Sequence, residues 1–179
     1  MAKVVLKLGD DISTDTIYPG RFMATVLPTE TPAYAFVDDK EFNNKLTSNK
    51  IDKGSVVVAA DNFGCGSSRE QAVSCLKGHE LVIVARNFAR IFLQNAVNLG
   101  LRTLTVPDIE AEEGHELEIG EDRMLNKTTG KAFAIVPLSG TRQEVMDAGG
   151  LVQPADSGWE RIRGATLPER RTGQITHQA

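Results

Sequence analysis

Cysteine is scarce in this sequence of 179 residues, which contains only Cys65 and Cys75. The two form neither a Cys-x-x-Cys pair nor a cluster with histidine, the arrangements that hold zinc or an iron–sulfur cluster. Two cysteines are also too few for the dense disulfide framework of a small secreted domain. The sequence therefore predicts that this chain itself binds no metal and no cofactor, and we assign Cys65 no catalytic role.

Long hydrophobic runs and an excess of positive charge are also missing. No apolar stretch approaches the roughly 20 residues that a membrane-spanning helix requires. The 20 basic and 24 acidic residues give a net charge of −4, the wrong sign for binding phosphate backbones or anionic lipid. Residues 1–8 lack the apolar core and the cleavage site of a signal peptide. We therefore expect a cytoplasmic protein that binds neither nucleic acid nor membrane.

The composition is that of a folded domain, with 41% hydrophobic and 25% charged residues. Four short runs rich in Val, Ile and Leu predict core strands, and two segments with apolar residues spaced by three or four predict helices. In chain order these are strands 4–8 and 55–60, helix 68–77, strand 81–85, helix 87–99 and strand 101–106. This alternation predicts crossovers in a largely parallel sheet. Phe88, Ile91 and Phe92 are predicted to face the core.

The pattern changes after Pro107. Three short segments joined by a turn at 128–131 predict a small antiparallel meander, and a helix follows them. The segments are 116–119, 123–126 and 132–136, and the helix is 141–148. We therefore predict a mixed α/β domain over residues 1–153 and a polar, Arg-rich tail over 154–179.

The densest cluster of small and polar residues lies between a predicted strand and a predicted helix. Gly64 and Gly66 allow the chain to turn tightly. Ser67 and Ser68 each stand three residues before a Glu or Gln, the spacing of a capping box. Either serine is therefore a candidate N-cap.

Arg69 stands directly after these serines. A helix N-terminus and a guanidinium together favour a bound carboxylate or phosphate, so the segment is a candidate anion site. The alternative is that the serines only cap the helix and Arg69 is solvated. The segment has neither the Gly-Lys-Ser/Thr of a P-loop nor the Gly-x-Ser-x-Gly of a hydrolase elbow.

A second polar segment, 9–21, follows the first predicted strand and is too long for a tight hairpin turn. Long polar loops often carry functional residues, and a solvated acidic turn is the alternative interpretation. An EF-hand calcium loop is excluded. Counted from Asp10, the sixth position is not glycine and the twelfth is not glutamate.

Four segments together carry a resemblance that is more specific than any one motif. They are 9–19, 62–70, 87–92 and 95–101, which read GDDISTDTIYP, NFGCGSSRE, NFARIF and NAVNLGL. Over residues 3–153 the sequence resembles the small subunits of 3-isopropylmalate dehydratase in the aconitase superfamily. The resemblance implies a swivelling β/β/α domain that closes over a large partner subunit. In that partner, three cysteines hold a [4Fe–4S] cluster that binds the hydroxyl and a carboxylate of the substrate.

The resemblance also implies roles for four residues. Ser67 corresponds to the serine that removes, as an alkoxide, the proton α to a carboxylate, and Asp15 to an aspartate close to that serine. Ser68 and Arg69 correspond to contacts with a substrate carboxylate. Loss of hydroxide requires a Lewis acid or a proton donor, so the chain is expected to be active only with its large subunit. We therefore expect a hydro-lyase subunit that isomerises 2- and 3-isopropylmalate in leucine biosynthesis.

The resemblance is incomplete at two places that bear on the substrate. Gln71 stands where many small subunits have histidine. The loop after the Thr-Asp segment carries Arg21, a candidate contact to a substrate carboxylate, and then the specificity segment Phe22, Met23, Ala24 and Thr25. Homoaconitase-like relatives read Tyr-Leu-Arg-Thr here, with arginine in place of Ala24, so an alkyl-substituted malate is favoured. Homoaconitate, citramalate or 2,3-dimethylmalate as substrate, and a non-catalytic anion-binding module, are the alternatives.

Overall fold

Seven strands form one mixed sheet in the computed structural model, which describes residues 1–151. They are β1 (Ala2–Lys7), β2 (Val56–Ala59), β3 (Val82–Ala85), β4 (Thr103–Thr105), β5 (Glu116–Ile119), β6 (Arg123–Asn126) and β7 (Ala132–Ala134). The order across the sheet is β4-β3-β2-β1-β5-β6-β7. Strands β1 to β4 are parallel, and β5 to β7 continue antiparallel from β1. The predicted mixed, partly parallel sheet is confirmed.

Five α-helices accompany the sheet within the described residues. They are α1 (Thr14–Ile17), α2 (Lys40–Thr47), α3 (Gln71–Gly78), α4 (Arg90–Leu99) and α5 (Gly140–Asp147), with 3₁₀ turns at Gly20–Phe22 and Thr31–Tyr34. Helices α3 and α4 are the crossovers that parallel strands require. The sequence predicts no helix at α2, because its buried residues Phe42 and Leu46 make a single i,i+4 pair.

Each face of the sheet has its own core, because successive residues of a strand point to opposite faces. Val57 and Ile83 pack with the helices, and Val56 and Val82 pack with the antiparallel strands. Both faces of β2 and β3 are therefore covered, so these strands are continuous apolar runs without alternation.

The antiparallel strands confirm the predicted meander with one adjustment. Strands β5 and β6 have the predicted bounds, whereas β7 ends at Ala134. Val136, predicted to lie in that strand, forms an isolated antiparallel bridge with Thr105 of β4. None of the helices in residues 1–151 is long and apolar enough to cross a membrane. The predicted domain boundary at residue 153 and the tail 154–179 lie outside the described residues.

The prediction that Ile91 faces the core is wrong. Phe92 is buried and Phe88 packs against the core from the loop before α4, but the side chain of Ile91 is 52% exposed. The buried stripe of α4 runs through Phe92, Ala96 and Val97. Neighbouring positions on a helix are about 100° apart, so Ile91 lies off this stripe.

The loops that leave β1, β2 and β3 meet at one edge of the sheet, because the carboxyl ends of parallel strands lie on the same side. Isolated parallel bridges join Ser13 to Cys65 and Phe63 to Phe88 beyond the strand ends. The two polar segments singled out in the sequence are thereby brought into contact.

Candidate active site

Aspartate and asparagine side chains join the loops at this carboxyl edge. The backbone N–H of Asp61 donates to Asp10 at 2.9 Å, and Asn62 Nδ2 donates to Asp11 at 2.7 Å. The backbone N–H of Asn62 donates to Asn87 Oδ1 at 2.7 Å. The loops after all three strands are thus linked by hydrogen bonds, which fixes the positions of the residues that they carry.

Two glycines allow the loop after β2 to approach its neighbours closely. Gly64 has φ 81°, and a Cβ there would lie 2.2 Å from Cγ of Phe92 on α4. Gly66 has φ 94°, and a Cβ there would lie 3.4 Å from Oγ1 of Thr14. Both backbone conformations are ones that glycine adopts without strain. The loop therefore packs directly against α4 and α1.

The serines after these glycines do not cap the following helix, contrary to the sequence prediction. Helix α3 begins at Gln71, and its N-cap residue is Glu70, which makes no capping hydrogen bond through its side chain. Residues 67–69 form a loop without regular secondary structure instead of a first helical turn. Both hydroxyls are consequently available for other contacts, and Ser67 and Ser68 are exposed.

Ser67 is held by Thr14, the first residue of α1. The backbone N–H of Ser67 donates to Thr14 Oγ1 at 3.1 Å, and the two hydroxyl oxygens are 3.1 Å apart. Thr14 is 1% exposed, whereas Ser67 is on the surface. The neighbouring Ser68 is held through its backbone, because Asn95 Nδ2 of α4 donates to its carbonyl oxygen at 3.1 Å.

Arg69 forms a bidentate ion pair with Asp15. Nη1 and Nη2 donate to the two carboxylate oxygens at 2.5 and 3.0 Å, and Nη1 also donates to the carbonyl oxygen of Tyr18 at 3.2 Å. The hydrogen bond from Arg69 is the main cause that lowers the pKa of Asp15, and the backbone N–H of Gly20 adds to it. The carboxylate therefore remains charged at neutral pH.

The Arg69 side chain is 15% exposed, and this pairing leaves one edge of its guanidinium without a hydrogen-bond partner among residues 1–151. A guanidinium has five N–H groups, and Asp15 and Tyr18 accept three of them. The remaining two are Nε–H and one Nη2–H, which have no partner among residues 1–151 and lie side by side. That edge has the geometry for a second carboxylate.

Ser67 lines a surface cavity of about 590 Å³ beside the N-terminus of α4. The cavity is also lined by Arg90, Ile91 and Asn95 of α4 and by Arg142 of α5. The exposed side chain of Ile91 forms an apolar part of the cavity wall. A cavity of this size accommodates a small organic acid, but Asp15, Ser68 and Arg69 are not among its lining residues.

Arg21 lies in the same loop region but is engaged elsewhere. Its guanidinium donates to both oxygens of Asp38, with the Nη1 contact at 3.1 Å, and lies 4.8 Å above the ring of Phe22. The hydrogen bonds to Asp38 raise the pKa of Arg21. A substrate carboxylate would have to compete with Asp38 for this side chain.

The specificity segment after Arg21 is held by aromatic side chains. Phe22 stacks on Tyr34 with ring centroids 4.3 Å apart. The hydroxyl of the buried Tyr18 donates to the carbonyl oxygens of Phe22 and Thr25 at 3.1 and 3.2 Å. Met23 is 50% exposed and Ala24 is exposed. The segment therefore has a fixed backbone and presents apolar side chains to its surroundings.

The described residues contain no group of three or more His, Cys, Asp or Glu side chains that could hold a metal ion. Cys75 is fully buried, and burial raises the pKa of its thiol. Cys65 is half-buried in the turn before Ser67.

Sequence reasoning missed two residues that contact the serine loop. Thr14 lies in the polar segment 9–21, and its hydroxyl beside Asp15 is the signal that could have identified it. Asn95 lies among apolar residues of the predicted helix 87–99, and an asparagine in such a position needs a polar partner, which is the signal that could have identified it.

Comparisons with known proteins agree with this geometry. Residues 11–109 match the aconitase C-terminal domain family. The chain is 40% identical over 160 residues to 3-isopropylmalate dehydratase small subunit 1 of Archaeoglobus fulgidus, covering 87% of this chain and 96% of that protein. The Methanosarcina mazei small subunit is 39% identical over 153 residues, covering 83% and 92%.

A solved structure agrees as well. The crystal structure of 3-isopropylmalate dehydratase from Methanocaldococcus jannaschii matches with a TM-score of 0.75 and 35% identity, over 83% of this chain and 89% of that one. The family match over residues 11–109 spans the loop after β2 and most of the polar segment 9–21. The chain therefore belongs to the 3-isopropylmalate dehydratase small subunits of the aconitase superfamily.

Proposed function

We propose that this chain is the small subunit of a hydro-lyase that interconverts 2- and 3-isopropylmalate in leucine biosynthesis. The observation that carries the proposal is that Ser67 and Arg69 lie on one loop and both contact α1, Ser67 through Thr14 and Arg69 through Asp15. Base and carboxylate-binding group then lie on one loop, as removal of a proton α to a carboxylate requires. The names of the relatives support the same reaction.

In the proposed mechanism, Arg69 holds a substrate carboxylate through its Nε–H and free Nη2–H. Asp15 keeps the guanidinium in position from the opposite edge, and Ser68 adds a hydrogen bond to the carboxylate. Ser67 Oγ, as an alkoxide, takes the α proton, and the electron pair of that C–H bond forms the double bond as hydroxide leaves the neighbouring carbon. Rehydration then reverses the step with the two carbons exchanged.

We propose that the partner is a large subunit that carries a [4Fe–4S] cluster. When bound there, the cluster supplies the Lewis acid that accepts the leaving hydroxyl. The present chain contributes the proton-transfer group and the carboxylate contacts. We place this pair in the cytoplasm, with no role for nucleic acid or membrane.

The purified chain alone should show no dehydratase activity, and adding the large subunit should restore it. The physical reason is that the base and the Lewis acid lie on different chains. The measurement is turnover of 3-isopropylmalate by the separate chains and by the mixture under anaerobic conditions. Turnover by the present chain alone would contradict the proposal. Binding of hydroxy acids by the pair without turnover would favour a non-catalytic anion-binding module.

We propose an alkyl-substituted malate as substrate in preference to a tricarboxylate. Met23 and Ala24 are exposed, and Arg21 is occupied by Asp38, so this segment offers no free cation. An extra carboxylate taken out of water without a partner costs several kcal/mol. An isopropyl group has no such cost beside apolar side chains.

The substitution Ala24→Arg should shift the ratio of kcat/KM toward homoaconitate by about 10-fold or more, because it supplies a charged hydrogen-bond donor. Steady-state assays of the reconstituted pair on isopropylmalate, 2,3-dimethylmalate, citramalate and homoaconitate measure the ratio. Ala24→Met, which adds bulk without charge, is the matched control and should not shift the kcat/KM ratio toward homoaconitate. A wild-type preference for homoaconitate would refute the role of this segment and leave the hydro-lyase assignment intact.

A further inference from the structure

Thr14 is the buried polar group in closest contact with the proposed base. It is 1% exposed, and its backbone is fixed on both sides, since its N–H donates to Cys65 O and its carbonyl accepts from Tyr18 N, each at 2.8 Å. Its Oγ1 accepts the backbone N–H of Ser67 at 3.1 Å. The hydroxyl therefore has a fixed position and one occupied acceptor site.

The single proton of the Thr14 hydroxyl has one acceptor within hydrogen-bond distance among residues 1–151. That acceptor is Ser67 Oγ, at 3.1 Å. While Ser67 is neutral, either hydroxyl can donate to the other. Once Ser67 has lost its proton, only Thr14 can donate, and a neutral hydrogen bond becomes a charge-assisted one.

We propose that Thr14 is a positioning residue that stabilises the alkoxide of Ser67 by donating its hydroxyl proton to Ser67 Oγ. The inference rests on the proposed function, in which Ser67 is the base. A hydrogen bond that is stronger to the charged form than to the neutral form favours loss of the proton. Thr14 keeps its own proton throughout, and the proton taken from the substrate carbon goes to Ser67.

The charged groups around Ser67 do not offer an equivalent contact. The charge of Arg69 is paired with Asp15, and Glu70 follows in the same loop. Arg90 and Arg142 line the cavity from α4 and α5, and neither makes a hydrogen bond to Ser67 in the described part of the chain. Within that part, the hydroxyl of Thr14 is therefore the donor in contact with Ser67 Oγ.

The test compares Thr14→Val, which has nearly the same shape but no hydroxyl, with Thr14→Ser, which keeps the hydroxyl. In the enzyme reconstituted with its large subunit, Thr14→Val should lower kcat by about 100-fold, comparable to removal of one oxyanion donor, with KM within a few-fold of wild type. The rising limb of the pH profile of kcat should move to higher pH. Thr14→Ser should retain most of the activity.

A double variant separates this role from a merely structural one. In the Ser67→Ala background, Thr14→Val should cause no further loss of kcat, because Thr14 acts through Ser67. If Thr14→Val does not fold, Thr14→Cys, whose thiol is a weaker donor, should give a kcat between those of wild type and Ser67→Ala. An unchanged kcat and pH profile in a folded Thr14→Val or Thr14→Cys variant, or additive losses in the double variant, would overturn the inference. High activity of Ser67→Ala would instead overturn the base assignment on which the inference rests.

Discussion

Replacing Ser67 by alanine should lower kcat of the reconstituted enzyme by about 10³- to 10⁴-fold, the range that a general base contributes. Stability should change little, because Ser67 is exposed and its hydroxyl makes one hydrogen bond, worth about 1 kcal/mol. The backbone hydrogen bond from Ser67 to Thr14 remains in the variant. Steady-state kinetics and thermal unfolding of the isolated subunit measure the two effects.

Ser68→Ala is the matched comparison for this experiment. Ser68 is equally exposed, and Asn95 holds its backbone and not its hydroxyl. As a carboxylate contact, it should raise KM by about 10-fold with a smaller change in kcat. The base assignment fails if Ser67→Ala keeps more than about a tenth of the wild-type kcat.

Arg69→Lys should raise KM for the substrate by about 10- to 100-fold, although the charge is kept. The guanidinium holds Asp15 with one edge and has a second edge without a partner among residues 1–151, and an ammonium group cannot reproduce this arrangement. The loss of one charge-assisted hydrogen bond, about 1.5–3 kcal/mol, corresponds to that range. Substrate KM and the free energy of unfolding of the variant check the prediction.

Arg86→Lys provides the matched control. Arg86 also pairs with an aspartate at the carboxyl edge of the sheet, since its Nη1 lies 3.5 Å from Asp61, but it has no part in the proposed site. The KM of the Arg86→Lys variant should stay within about 3-fold of wild type, because an exposed ion pair contributes little to stability. Equal KM values for the two variants would show that Arg69 serves only to hold Asp15.

The fold was predictable where buried strands are apolar on both faces. Strands β2 and β3 are covered by helices on one face and by the meander on the other, and such runs are recognisable in a sequence. Helix α2 was not predictable, because only Phe42 and Leu46 mark its buried side. Strand β1 is also irregular. Val4 and Leu6 belong to different cores although they are two residues apart, because a register shift lies between them.

The candidate residues could be named from the sequence, but their contacts could not. The resemblance names Ser67, Arg69 and Asp15 as candidates, whereas the spacing suggested that the serines cap a helix that in fact begins at Gln71. The partner of Ser67 is Thr14, which lies far away in the sequence. Such a pairing depends on the meeting of loops at the ends of parallel strands, and only the tertiary structure fixes it.

The antiparallel ribbon of β5, β6 and β7 carries none of the residues proposed to act on the substrate. It extends from β1 to the edge of the sheet opposite β4, so the loops of β2 and β3 lie on the other side of β1. The turn between β6 and β7, with exposed Thr129 and Gly130, is therefore a convenient attachment point for a fluorophore. A reporter placed there would lie away from the proposed site and would show whether this subunit closes over its partner, as the proposed function requires.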